Sequence, residues 1–203
     1  TCTGGALTVA AEGLAVHVGG RWFPAGAGVD PRVNALAAGD GAVWVGTDRG
    51  LFRLVGPEVR VWREAEGLPS DKVLSLARMR SGALLVGTAR GAVVVDEGEV
   101  RSALPKGAGV ELRGVWAVGE DPSGAWWLGT SHGLFRVRGQ TWSRIGMATG
   151  HLPDDWVTAL AFDGDRVWVG TYAAGVARLD ADGEGWKATA LGGGRINPRG
   201  LTV

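Results

Sequence analysis

The sequence predicts an all-β fold made of repeated four-stranded antiparallel sheets, and three observations carry that prediction. The motif VWVGTDRGLF at residues 43–52 returns as LLVGTARGAV, WWLGTSHGLF and VWVGTYAAGV. The glycine that follows the variable residues falls at Gly50, Gly91, Gly133 and Gly175, at intervals of 41, 42 and 42 residues. A period in the low forties is that of a four-stranded propeller blade. The composition agrees, because 36 Gly and 10 Trp with only 8 Pro describe many turns between short, aromatic-rich strands.

One period upstream, ALTVAAEGLAVHV holds a degraded copy whose Gly13 stands 37 residues before Gly50, which makes five units. The third unit shows how each divides: KVLSLAR, ALLVGT, GAVVVDE and VRSALP, here called strands A to D, are separated by hairpin-sized turns and should pair as an antiparallel meander. Blade one then takes strands B to D from residues 6–25, and the other blades span about 32–64, 72–103, 114–145 and 156–190. The chain opens in a B strand and ends in RGLTV, residues 199–203, which aligns with the A strands RVNALA, KVLSLA, GVWAVG and WVTALA. The predicted fold is therefore a five-bladed β-propeller in one domain, its first blade completed by the C-terminal strand.

In the four later units the Gly-Thr pair lets a neighbouring backbone approach and supplies a hydroxyl for the turn amides. Trp44, Trp127 and Trp168 recur in strand B, while Trp22, Trp62, Trp142 and Trp186 recur near the start of strand D. Repeated filling by the largest apolar side chain is expected of packing between blades.

Charge and spacing exclude several classes of function. Twenty-one basic residues balance twenty-one acidic ones, so no global field draws nucleic acid or an anionic membrane. Apolar runs reach only about five to seven residues against the roughly 20 of a membrane helix. Cys2 is the lone cysteine, which rules out an internal disulfide, and no signal peptide is visible. His17, His132 and His151 lie in three different blades, and no spacing matches a metal site. DADGEG at residues 180–185 lacks the later glutamate of a calcium loop. Ser131 and His132 are expected to point apart on their turn, so no nucleophile and base pair is expected. Neither a catalytic residue, a metal nor a cofactor is expected, and a monomer is.

LPSDKVLSLARMRSGALLVGTARGAVVV and LPDDWVTALAFDGDRVWVGTYAAGVARL resemble the two-component regulator propeller family, whose repeat runs Leu-Pro-x-Asn/Asp, an apolar strand, a polar turn with Gly, Trp-apolar-Gly-Thr and a Gly-Leu turn. The resemblance spans most of the chain and is strongest from Leu68 and from Leu152. It implies a bacterial sensory region, periplasmic or extracellular, of the kind found in hybrid histidine kinases. The chain departs from that picture in closing at five blades and in carrying no kinase or membrane segment.

In such a blade the B–C turns and the D–A connections share one face, where the repeat stops constraining identity. Arg49, Arg90, His132 and Tyr172 occupy B–C turns there. Arg32, Lys72, Arg113 and Arg199 lie where A strands start and form either a positive ring for a carboxylate or phosphate, or local pairs with Asp30, Asp71 and Glu111. Trp156 breaks the tryptophan pattern on the same face, with Tyr172 across its blade's turn and His151, Asp154 and Asp155 before it. An aromatic pair near carboxylates suits a sugar or another flat, amphipathic group, the alternative being a capped surface. The expected function is a non-catalytic binding or sensory module for a small polar or sugar-like ligand, or a protein partner. A protein scaffold is one alternative. A hydrolase or lyase using His132, His151, Glu12 and Asp155 is the other.

Overall fold

The structure is a computed structural model that describes residues 6–10, 13–18, 21–24, 28–182, 185–197 and 200–201. The first sheet has three antiparallel strands, β1 (Ala6–Ala10), β2 (Gly13–Val18) and β3 (Arg21–Pro24). Four sheets of four antiparallel strands follow. Blade two holds β4 (Val33–Gly39), β5 (Ala42–Thr47), β6 (Gly50–Val55) and β7 (Glu58–Trp62). Blade three holds β8 (Val73–Arg78), β9 (Leu84–Thr88), β10 (Gly91–Asp96) and β11 (Glu99–Ser102). Blade four holds β12 (Ala117–Glu120), β13 (Trp126–Thr130), β14 (Gly133–Arg138) and β15 (Thr141–Ile145). Blade five holds β16 (Val157–Asp163), β17 (Arg166–Thr171), β18 (Gly175–Asp182) and β19 (Gly185–Gly192). The A strands β4, β8, β12 and β16 pack one against the next and form the inner side of the arc.

The Gly-Thr motif acts twice in this packing. A Cβ on Gly46 or Gly129 would sit 2.6 Å from Cγ1 of Val73 or Val157, and one on Gly87 would sit 2.8 Å from Val115 Cγ1. The bare glycine of each B strand thus receives the first valine of the next blade, and all three valines are fully buried. The threonine closes the turn: Thr47, Thr88 and Thr130 donate to the carbonyls of Gly50, Gly91 and Gly133 at 2.8–2.9 Å. Each also accepts an N–H from two residues on. Thr171 reaches Gly175 across a loop one residue longer.

Side chains latch neighbouring A strands together. Asn34 Nδ2 donates to Val73 O at 2.9 Å, Ser75 Oγ to Val115 O at 2.8 Å, and Thr158 Oγ1 to Ile196 O at 2.6 Å. In blade four Trp116 and Ala117 stand at those positions, and neither side chain makes the bond. The seam between blades three and four has an apolar centre, with Leu85, Val94, Val115, Leu128, Phe135 and Val137 in one cluster. Full burial of such side chains contributes roughly 1.5–3 kcal/mol each.

The D–A connections into blades three and five carry one-turn 3₁₀ segments, Glu64–Glu66 and Met147–Thr149. Asp71 Oδ1 accepts the N–H of Glu64 at 2.7 Å, and Asp155 Oδ1 that of Met147 at 2.8 Å. The Asp of the Leu-Pro-x-Asp motif is therefore a cap for the preceding turn, and its Leu, at Leu68 and Leu152, is buried core.

Two expectations are corrected. Four complete blades and a three-stranded sheet form in place of five complete blades, and Gly200 and Leu201 belong to no strand; Arg199, Thr202 and Val203 lie outside the described residues. Ile196 takes the place predicted for the start of RGLTV. A Cβ on Gly170 would lie 2.6 Å from Ile196 Cγ2, as at the valines, and the Ile196 N–H donates to Thr171 O at 3.0 Å, matching Val115 on Thr88. Gly200 N–H bonds back to Asn197 O at 2.9 Å. The second correction concerns strand D. Trp142 and Trp186 lie near its start, but Trp62 ends β7 opposite Leu51, so these tryptophans are not equivalent.

Candidate ligand site

The B–C turns and the D–A connections do share a face: Asp48 N–H donates to Arg32 O, Tyr172 N–H to Trp156 O and Gly133 N–H to Asp155 O. The residue just before the first apolar residue of each A strand rings the inner edge of that face. In order these are Arg32, Lys72, Gly114, Trp156 and Arg195, so one part of the ring is basic and another aromatic.

The basic part is neutralised from within. Asp48 receives Asn34 Nδ2 at 3.0 Å, and Arg32 Nη1 and Lys72 Nζ each lie 3.7 Å from it. The Asn34 hydrogen bond, and after it the Lys72 and Arg32 charges, hold the Asp48 carboxyl below its ordinary range against the opposing effect of burial. Arg49 pairs with Asp30 at 3.3 Å, Arg113 with Glu111 at 3.1 Å, and Arg90 with Glu64. Of the local pairs expected for these bases, Arg113 with Glu111 is formed, whereas Arg32 and Lys72 meet Asp48 in place of Asp30 and Asp71. Arg199 and Glu12 lie outside the described residues.

The aromatic part is a stack. The Trp156 and Tyr172 rings lie 4.2 Å apart at 20°, and the Arg195 guanidinium covers Tyr172 at 4.2 Å. Trp116 adds a tilted ring 6.2 Å from Trp156. Asp154 fixes the geometry, accepting from Trp156 N at 3.1 Å and from Ala173 N at 2.9 Å, so one carboxylate pins both ends of the pair. Trp116 Nε1 lies where a side chain on Gly114 would stand, and the indole fills the gap left by that glycine. The Nε1 atoms of Trp116 and Trp156 are buried and have no acceptor in the protein. His151 Nδ1 is likewise buried without a protein partner. Arg195 has no carboxylate partner among the described residues.

Other predicted residues fall elsewhere. Asp155 is committed to Met147 N–H and to Arg144, 3.3 Å away. His132 is exposed, and its Nδ1 lies 2.9 Å from Ser131 Oγ, so the two side chains meet rather than diverge. Ser131 Oγ donates to Arg113 O at 2.9 Å. Among the described residues no cluster of His, Cys, Asp and Glu is placed to hold a metal ion. No helix among them is long and apolar enough to cross a membrane.

Arg195 was missed by sequence reasoning, which matched Arg199 to Arg32. The signal was present: Arg195-Ile196-Asn197 repeats Arg32-Val33-Asn34, and its isoleucine is the residue that seats on the B-strand glycine.

Residues 151–173 match the family described as two component regulator propeller. One segment of the chain thus matches the two-component regulator propeller repeat. The matched segment of that repeat contains both Trp156 and Tyr172. No curated protein matches the chain. Among solved structures, the extracellular domain of a hybrid two component system from B. thetaiotaomicron aligns with a TM-score of 0.75 at 19% identity, over 95% of this chain and 27% of its own. A second such domain from the same organism gives 0.76 at 14% identity, over 95% and 29%. Virginiamycin B lyase from Staphylococcus aureus gives 0.69 at 13% identity, over 97% and 73%. The chain thus spans less than a third of the two sensor domains, and at these identities the likeness is one of propeller fold.

Proposed function

We propose that the chain is a non-catalytic sensory or ligand-binding propeller module of a periplasmic or extracellular region, and that the Trp156, Tyr172 and Arg195 stack recognises a small polar or sugar-like ligand. The observation that carries this reading is the pair of buried indole N–H groups, on Trp116 and Trp156, that find no acceptor in the protein beside the stack. A buried donor left unmatched costs about 1–3 kcal/mol, which a ligand oxygen placed there offsets. Aromatic faces with a few converging polar groups are the usual construction of such a site. The extracellular sensor domains that share the fold support the compartment.

Calorimetric titration with a panel of neutral oligosaccharides tests the reading. Trp156→Ala and Tyr172→Ala should abolish a binding signal seen with the unaltered chain, while far-ultraviolet circular dichroism and a cooperative melt stay native. Binding that persists in both variants overturns it.

A further inference from the structure

On the other face, among the A–B and C–D turns, a groove of about 920 Å³ opens between blades four and five. Arg136 and Arg138 both line it. They are two residues apart on β14 and so project from the same side of the sheet, with buried Val137 turned to the other. Arg136 is largely enclosed, its side chain only 23% exposed. Its guanidinium lies 5.6 Å from the Trp127 ring and 5.5 Å from the Trp186 ring, held between blades four and five. The buried Nε has no hydrogen-bond partner in the protein.

The surrounding carboxylates do not fill that need. Asp121 Oδ2 is 3.8 Å from Arg136 Nε, too far for a hydrogen bond. Asp121 is already occupied by Ser123 N and Oγ, Ala125 N and Trp127 Nε1 at 2.6–3.0 Å. Asp163 and Asp180 pair with Arg166 at 3.8 and 3.6 Å, and Asp180 also accepts from Arg178 at 2.8 Å. Two guanidinium groups of the groove therefore keep unused hydrogen-bonding capacity: Arg136, which meets Asp121 only at 3.8 Å, and Arg138, with Trp186 beside them and Asp165 at the rim. Arg138 has no carboxylate partner among the described residues.

We propose that this groove is an oxyanion site, in which Arg136 and Arg138 hold a carboxylate or phosphate whose remaining body rests on Trp186 and offers a hydrogen-bond donor to Asp165. A guanidinium fork fits a two-oxygen anion better than any neutral acceptor, and enclosure between two indoles removes competing water. The site is separate from the aromatic stack of the opposite face and does not rest on it.

The test titrates the full chain with citrate and, separately, with inorganic phosphate at constant ionic strength, following tryptophan fluorescence and heat. Saturable binding is expected, weakened tenfold or more by Arg138→Ala and by Arg136→Lys, which keeps the charge but loses the fork. Arg195→Ala should leave it unchanged. Citrate binding with this pattern supports a carboxylate ligand, and phosphate binding with it supports the same site for a phosphate. Arg138→Ala alters an exposed side chain, so the test stands even where Arg136→Lys disturbs the indole packing. No saturable binding of either anion overturns the proposal, as does binding that survives both groove variants or is lost in Arg195→Ala.

Discussion

Two seams of the molecule start from the same parts and end differently. Between blades two and three, Trp44 on β5 faces Arg53 on β6; between blades four and five, Trp127 on β13 faces Arg136 on β14. In the first seam the strand D residue opposite the arginine is Arg60, which lies over Trp62 at 4.5 Å and against Gly98. Arg78 of the next blade pairs with Asp40, and the remaining groove measures about 370 Å³. In the second seam Ser143 replaces Arg60 and Phe162 replaces Arg78, and the groove opens to about 920 Å³. The inner edge repeats the contrast, since Asn34, Asp48, Arg32 and Lys72 close the first seam while Trp116 and Trp156 keep unmatched N–H groups at the second. The repeat builds the scaffold, and a handful of non-repeating side chains decide which seam is filled and which is free to bind. Blade three makes the point from the other side: it exchanges tryptophan and arginine together for Leu85 and Val94, which join the apolar cluster against blade four.

The largest expected effect lies in the tryptophans. Trp127→Ala should cost about 3–5 kcal/mol in denaturant unfolding. It should cost more than Trp44→Ala, because Trp127 is fully buried, meets Trp186 at 4.9 Å and donates to Asp121, whereas Trp44 Nε1 bonds to nothing in the protein. Equal losses would break the contrast between the seams.

Asp121 gives the next effect. Burial raises its carboxyl pKa, but the donors Ser123, Trp127 and Ala125 outweigh that and hold it below the ordinary value. A depressed folded pKa means that the stabilisation is present above the unfolded value, about 4, and is lost as pH falls through the folded one. Asp121→Asn should therefore lower stability at neutral pH by about 1.5–3 kcal/mol and flatten the acid limb of the melting profile. Asp48→Asn should do the same at the other seam by a smaller amount, because Asp48 is more exposed. A melting profile unchanged below pH 5 in Asp121→Asn would remove this account.

Gly46→Ala and Gly129→Ala should each cost about 1–3 kcal/mol, because the added methyl meets Val73 or Val157. Here the two seams should respond alike, and a clear difference between the variants would show that the scaffold itself is not uniform. The smallest effect belongs to the latch: Asn34→Ala should cost about 0.5–1.5 kcal/mol from its bonds to Val73 O and Asp48. Trp116→Ala, which removes no such bond, should leave the hydrogen-exchange protection of Val157 N–H closer to native than Asn34→Ala leaves that of Val73.

Much of the fold was legible because its determinants are local. Gly50, Gly91, Gly133 and Gly175 mark the hairpins, and the Thr hydroxyl acts within three or four residues of itself. Trp156 and Tyr172 could be singled out because they depart from an otherwise regular pattern. Arg195 was not, since a closing strand of the expected length drew the alignment to Arg199, four residues late, and only the seating of Ile196 on Gly170 set the register. The pairing of Lys72 with Asp48 was equally invisible, because the two side chains come from different blades.

The amino-acid sequence alone thus determined the period, the strand order within a blade and the shared face of the B–C turns and D–A connections, all of which follow from short-range turn geometry and alternation along strands. Only the tertiary structure decided that Ile196 seats on Gly170 while Gly200 and Leu201 join no strand, that Arg32 and Lys72 meet on the Asp48 carboxylate, and that Arg136 lines an open groove. Those outcomes depend on how blades some forty residues apart in sequence stack on one another, and the period repeats the backbone without specifying the side chains that meet across each seam.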